Sequence, residues 1–194
     1  MPTYVKSEVC WFFKKVNPHW LFSNMAGQMP LYWPLEKLPH HYWNSTEQLY
    51  QASKYRKGLM CLPKAGTRLS HLTLRSRIRA MSGPRGAKMT QKCAVKAGLI
   101  RADWENIKIQ AMVWVLELKL FHHPKTFGAE LTKTGDLPIV EVSRKDDFWG
   151  CKEVDEKLVG QNHLGRSLMQ VRDKQDQVIK GKFTHPNGFL LPPT

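Results

Sequence analysis

Residues 103–124 read DWENIKIQAMVWVLELKLFHHP, and this stretch sets the class of the fold. Trp104, Ile107, Ala111, Val115 and Leu118 recur at three-to-four spacing, the period that lines one face of an α-helix. Asp103 stands where an N-cap belongs. His122-His123-Pro124 ends the run, because proline lacks the N–H that a helix interior needs. Lys108, Gln110, Glu117 and Lys119 interrupt the apolar content, so this helix is no bilayer span and no membrane is expected as partner. Its apolar face needs cover, which must come from the flanking sequence.

Upstream, Ser45-Thr46-Glu47-Gln48 has the capping-box form, Ser at the cap and Gln three residues on. The spacing predicts a helix with Leu49, Ala52 and Ser53 on one face and Glu47, Tyr50, Gln51 and Lys54 along another. Before it, the aromatic and proline-rich stretch Met1–Trp43 reads as loops with short strands near Glu8–Lys14 and Met29–Trp33. Gly58–Gly98 reads as short helices and basic loops. Downstream, a short helix is predicted over Ala129–Thr132 and a strand over Pro138–Ser143. A last amphipathic helix runs from Asn162, as cap, through Leu164, Leu168 and Val171. The pattern fades after Arg172, which predicts a domain over residues 1–173 and a loosely held tail over 174–194. The expected class is α+β, one helix-dominated domain with a few short strands.

Composition agrees with that reading. The 194 residues suit a single domain, and 42% hydrophobic with 24% charged residues excludes wholesale disorder. Cys10, Cys61, Cys93 and Cys151 are far apart with no C-x-x-C pair, the usage of reduced thiols in a cytoplasmic protein. Lys6, Glu8, Lys14 and Lys15 break up any secretory apolar run at the start.

Charge points to a partner. The formal net charge is +14, and between Gln48 and Ala102 thirteen Lys and Arg stand without one Asp or Glu. Like charges at that density need counter-ions, and a phosphate backbone is the usual supplier. The alternative is a solvated face that only aids solubility.

Candidate chemistry is sparse. There is no G-x-G-x-x-G, Gly83–Lys88 lacks the spacing of a P-loop, and no two histidines share a helix face at metal-ligand spacing. Neither a cofactor nor a metal is expected. Four features remain. Glu47 lies in the first turn of its helix, where the dipole favours a carboxylate by about 0.3–1 kcal/mol. Such a group suits stabilising positive charge or activating water, although the dipole alone explains it. Asp146, three residues before Trp149-Gly150, either closes an Asx-turn or stands beside a pocket wall. Phe22-Ser23-Asn24 is an aromatic followed by two small hydrogen-bonding residues. Gly160-x-Asn162-x-Leu164-Gly165 starts a helix whose N–H groups either hold an anion or pack tightly. Trp104 fits core as well as stacking platform.

Together these pieces resemble the NADAR family. The resemblance rests on Phe22-Ser23-Asn24, on Trp43-x-Ser45-x-Glu47-x-x-Tyr50-Gln51-Ala52-x-Lys54, and on Arg101-Ala102-Asp103-Trp104-x-x-x-Lys108. It rests further on Val140-Glu141-x-Ser143-x-x-Asp146-x-x-Trp149-Gly150 and on Gly160-x-Asn162-x-Leu164-Gly165-x-x-Leu168-Met169-x-x-Arg172. Gln48 stands where the family often has His, and Lys152 where it often has a second Gly. The resemblance implies a helix-rich α+β domain that cleaves N-glycosidic bonds to ribose, with Glu47 and Asp146 as the acidic pair. It implies substrate contacts from Phe22, Ser23, Asn24, Tyr50, Lys54, Trp104, Trp149, Gly150 and Asn162. Implied partners are ADP-ribosylated DNA, with a cognate ADP-ribosyltransferase toxin, or a small ribosyl phosphate of the riboflavin pathway. A module that binds ADP-ribose or nucleic acid without catalysis is the competing class.

Overall fold

The computed structural model describes residues 1–13, 18–32, 42–55, 74–81, 83–84, 95 and 98–184. Strands β1 (Thr3–Val5), β2 (Cys10–Phe12), β3 (Leu31–Tyr32) and β4 (Tyr42–Trp43) precede helices α1 (Thr46–Ser53), α2 (Leu74–Arg79) and α3 (Trp104–His122). Then come α4 (Ala129–Lys133), β5 (Ile139–Glu141), β6 (Lys152–Val154), β7 (Lys157–Val159), α5 (His163–Asp173) and α6 (Gln175–Ile179). The fold is α+β, with helices around α3 and three small sheets beside them.

Helix α3 is the axis. Every residue from Ala111 to Leu120 is buried, because α1, α5, α6 and β3 pack around it. A helix covered on all sides must hide its polar residues as well as its apolar ones. Glu117 accepts the Thr184 N–H at 2.7 Å. Lys119 donates to the carbonyls of Leu21 at 2.5 Å and Ser23 at 3.2 Å, and its Nζ lies 4.6 Å from the Phe127 ring centre. The amine therefore fixes the loop that leads into Asn24.

The sheets follow from period-2 alternation. In the parallel β2–β5 pair, Cys10 faces Ile139, Trp11 faces Val140 and Phe12 faces Glu141. Phe12 and Ile139 turn toward the main core, while Trp11, Val140 and Val142 turn to a small second cluster with Cys151 and Leu158. The hairpin β6–β7 turns through Asp155 and Glu156, both at positive φ (47° and 60°), and β1 adds to its edge.

Several expectations need correction. The capping box forms by half: Ser45 Oγ accepts the Gln48 N–H at 3.3 Å, but the Gln48 amide donates to the Met81 carbonyl at 2.7 Å. Asp103 places its carboxylate on Arg101, at 2.6 and 2.7 Å, and makes no cap bond. Asn162 likewise caps nothing, because its left-handed backbone (φ 53°) turns its amide elsewhere. Within the stretch read as tail, residues 175–179 form α6 with Val178 buried, and Phe183 packs on Phe121. The β6–β7 hairpin had only a weak sequence signal, since Asp155 favours such a turn but no Gly follows it.

The basic segment is only partly in view. Lys54, Arg75, Arg77, Arg79 and Arg101 are described, and the other eight of the thirteen cations lie outside the described residues. Arg75 binds the Tyr55 carbonyl, and burial lowers its guanidinium to about 10. Arg101 is held by Asp103.

Burial pushes the Lys119 ammonium down from 10.5 to about 7. Between about pH 7 and pH 10 the unfolded chain holds this proton more tightly than the folded one, so folding gains stability as pH rises. Below that window both states are protonated and the penalty is constant. Urea midpoints of the wild type, relative to Lys119→Met, should climb from pH 7 to pH 9. Parallel midpoints would show that Lys119 does not titrate there.

Candidate active site

The first turn of α1 carries Glu47, which is 4% exposed, and the helix N-terminus is tied to the Phe22–Asn24 loop by Glu47 N–H donating to the Asn24 carbonyl at 3.2 Å. One turn on, the Gln51 amide donates to Glu47 Oε1 at 2.8 Å and sets the carboxylate's rotamer. Across the cavity, Asp146 closes its own turn. Its Oδ1 accepts the N–H groups of Phe148 at 3.0 Å and Trp149 at 2.9 Å, and its own N–H donates to Ser143 Oγ at 3.1 Å. The two carboxylates are ninety-nine residues apart in sequence. Both line one cavity of about 240 Å³.

Five more of the expected residues line that cavity: Ser23, Asn24, Tyr50, Lys54 and Trp149. The Asn24 amide donates to Met112 Sδ at 3.1 Å, which brings the loop onto α3. Tyr50 makes a wall with Trp149, ring centres 5.5 Å apart. Burial, with Glu47, Glu105 and Asp146 adding to it, raises the Tyr50 phenol well above its ordinary range, so the ring stays a neutral donor. Lys54 Nζ lies 5.5 Å from the Tyr50 ring centre. It is the one Lys or Arg among the described residues that line the cavity.

Four expected contacts stand behind the wall instead. Phe22 is fully buried between Phe12, His19 and Phe127, with ring centres 5.8, 5.4 and 6.2 Å away, and belongs to the core. Trp104 is buried 5.3 Å behind Tyr50. Gly150 backs on Glu141: a Cβ there would meet the Glu141 carbonyl at 2.7 Å. Asn162 is wholly buried, its Oδ1 accepting the Glu141 N–H at 3.1 Å and its Nδ2 donating to the Ile139 carbonyl at 2.8 Å. The helix start after it is no anion site in this arrangement. The N–H groups of residues 161–164 are taken by the carbonyls of Asp147, Gly150, Phe148 and Trp149. A carbonyl lies so close to Gly165 that a Cβ would sit 2.0 Å from Ile139 O.

Glu141 is the residue that motif reading did not single out. It lines the cavity as a third carboxylate, on the strand that Asn162 pins. The available signal was period 2: Ile139 inward places Glu141 on the same side. Gln51, Met25, Met112 and Leu164 complete the lining. No three His, Cys, Asp or Glu side chains are grouped as a metal set among the described residues.

The NADAR domain family model matches residues 11–175. The chain belongs to the NADAR family. An N-glycosidase of Nostoc punctiforme is 30% identical to this NADAR chain over 172 residues, covering 84% of it and 90% of the relative. N-glycosidase YbiA of Escherichia coli is 27% identical over 163 residues, 84% of the chain and 86% of the relative. The NMR structure of E. coli YbiA matches with a TM-score of 0.63 at 25% identity, over 92% of this chain and 91% of that one. Riboflavin biosynthesis protein PYRR of Arabidopsis thaliana is 35% identical over 100 residues, half of this chain but 16% of the plant protein.

The Asn162 amide holds two buried backbone groups of β5. Asn162→Ala should cost about 3 kcal/mol, since it leaves two buried backbone groups unpaired at about 1–3 kcal/mol each. Urea denaturation measures this, and a loss under about 1 kcal/mol would show that solvent replaces the amide.

Proposed function

We propose that the chain is an N-glycosidase that hydrolyses the bond between ribosyl C1′ and the nitrogen of a base. The observation that carries this reading is the meeting of Glu47 and Asp146 on one cavity. Cleavage passes through a ribosyl cation with positive charge shared by C1′ and the ring oxygen. The C–N electron pair leaves with the base, which gains a proton, and a water oxygen bonds to C1′ as it gives one up. Glu47, buried and held by Gln51, faces the developing cation or orients that water. Asp146 uses Oδ1 to fix its own turn and has its other oxygen for a ribose hydroxyl or the transferred proton. Tyr50 and Trp149, packed edge to face on each other, give the planar base an aromatic wall to rest against.

The cavity is acidic within a basic protein. Three carboxylates against one lysine favour a cationic transition state and disfavour a phosphate beside them, so the phosphate of the substrate lies at the mouth with Lys54. We read the substrate as a guanine base in DNA that carries ADP-ribose, the protein acting as the antitoxin to a DNA-modifying ADP-ribosyltransferase. The +14 charge supports this reading, since a nucleic acid accounts for an excess that a metabolite does not. The second reading, a phosphorylated ribosyl intermediate of riboflavin synthesis, is favoured by the single cation of the cavity and by the names of the riboflavin-pathway relatives.

Incubation with ADP-ribosylated DNA should release free ADP-ribose. No release, together with turnover of an aminopyrimidine ribose phosphate, would transfer the assignment to the metabolic substrate. Glu47→Gln should lower turnover by about a hundredfold or more while ADP-ribose still binds. Asp146→Asn keeps the acceptor of its turn and loses the charge, so it should also fold and fail. Undiminished turnover in either variant would remove that residue from the chemistry.

A further inference from the structure

On the opposite face of the β2–β5 pair lies a second cavity, of about 470 Å³. Trp11 of β2 and Phe13, the residue after that strand, both line it, beside Val142. Both rings are half-buried and both carry a cation: Lys6 Nζ is 4.6 Å from the Trp11 ring centre, and the Arg144 guanidinium 5.7 Å from that of Phe13. Lys152 completes the basic lining, against one carboxylate, Glu153. Lys6 pairs with Glu153 at 2.6 Å and Lys152 with Asp147 at 2.5 Å, both partly solvent-exposed pairs of the kind that contribute little and exchange readily. Arg144 is exposed and has no carboxylate partner among the described residues.

We propose that this groove binds one unpaired nucleotide of a polynucleotide strand, next to the nucleotide that enters the Glu47–Asp146 cavity. The two cavities share a loop. Ser143 lines the groove, Asp146 lines the cavity, and the Ser143 hydroxyl accepts the Asp146 N–H. Three residues of chain span about 11 Å at most, so the two linings approach each other within that distance at this loop. Aromatic faces beside cations suit a base and its phosphate together. The base must be unpaired, because in a duplex both of its faces are already stacked. A protein segment is the poorer occupant: the lining has three cations to one carboxylate, on a chain of net charge +14.

The inference rests on the nucleic-acid reading of the substrate, yet its test needs no turnover. Fluorescence anisotropy with a labelled single-stranded DNA of about 12 nucleotides, a length within known site sizes, reads the affinity directly. Trp11→Ala should weaken binding by about fivefold or more, the loss of one stacked base. Arg144→Glu, an exposed change that spares the core, should weaken it similarly and flatten the dependence of log K on log salt by about 0.7. Failure of the wild type to bind, or wild-type affinity and salt slope in a folded Arg144→Glu, would overturn the groove. Hydrolysis of ribosylated bases by the wild type is scored separately, so loss of that activity reading would not be mistaken for loss of the groove.

Discussion

One amide fixes the Asp146 side of the candidate site. Asn162 sits at positive φ, a conformation that Asn tolerates better than most residues, and from there its side chain bonds both the Glu141 N–H and the Ile139 carbonyl. Strand β5 is only three residues long and pairs with β2 on one edge, so the amide serves as its second neighbour. Everything beyond depends on that fixed strand. Gly150 packs on Glu141, Gly165 packs on Ile139, and the loop between β5 and β6 gives its carbonyls to the N–H groups that open α5. The turn that presents Asp146 is therefore positioned by a helix that contributes only Leu164 to the cavity wall.

The other half is set from α3. Lys119 holds the carbonyls of Leu21 and Ser23, and Met112 receives the Asn24 amide, so a buried helix fixes a loop nearly a hundred residues earlier. Asn24 in turn accepts the Glu47 N–H and orients the start of α1. The result is a cavity with three carboxylates and one lysine inside a strongly basic chain. The sign of the charge lining the cavity thus opposes that of the molecule as a whole.

Helix α3, α1 with its Ser45 cap, β5 and α5 were legible because hydrophobic period and turn chemistry are local properties. So was the face of α1 that meets the cavity, since Glu47, Tyr50, Gln51 and Lys54 must share it once the helix forms. Other features escaped for stated reasons. The Asp155–Glu156 turn has Asp at its first position but no Gly or Asn, so its positive φ is only weakly marked. Lys119 looked like a break in an apolar face, when it is a buried donor to backbone carbonyls. Phe22 and Asn162 lie within motif-like stretches but support the site from behind, and spacing alone does not separate a contact from its support. Glu141 was quoted within a motif, yet its place in the cavity needed the register of β5 against β2.

The packing of α6 has a practical consequence for anyone trimming the protein. Val178 is wholly buried, Phe183 rests on Phe121 with ring centres 5.2 Å apart, and Thr184 supplies an N–H to the buried Glu117. An expression fragment cut after Asp173 would bare a flank of α3 and withdraw a donor from a carboxylate that water does not reach. Fragment boundaries intended to preserve the hydrophobic interior belong beyond Thr184.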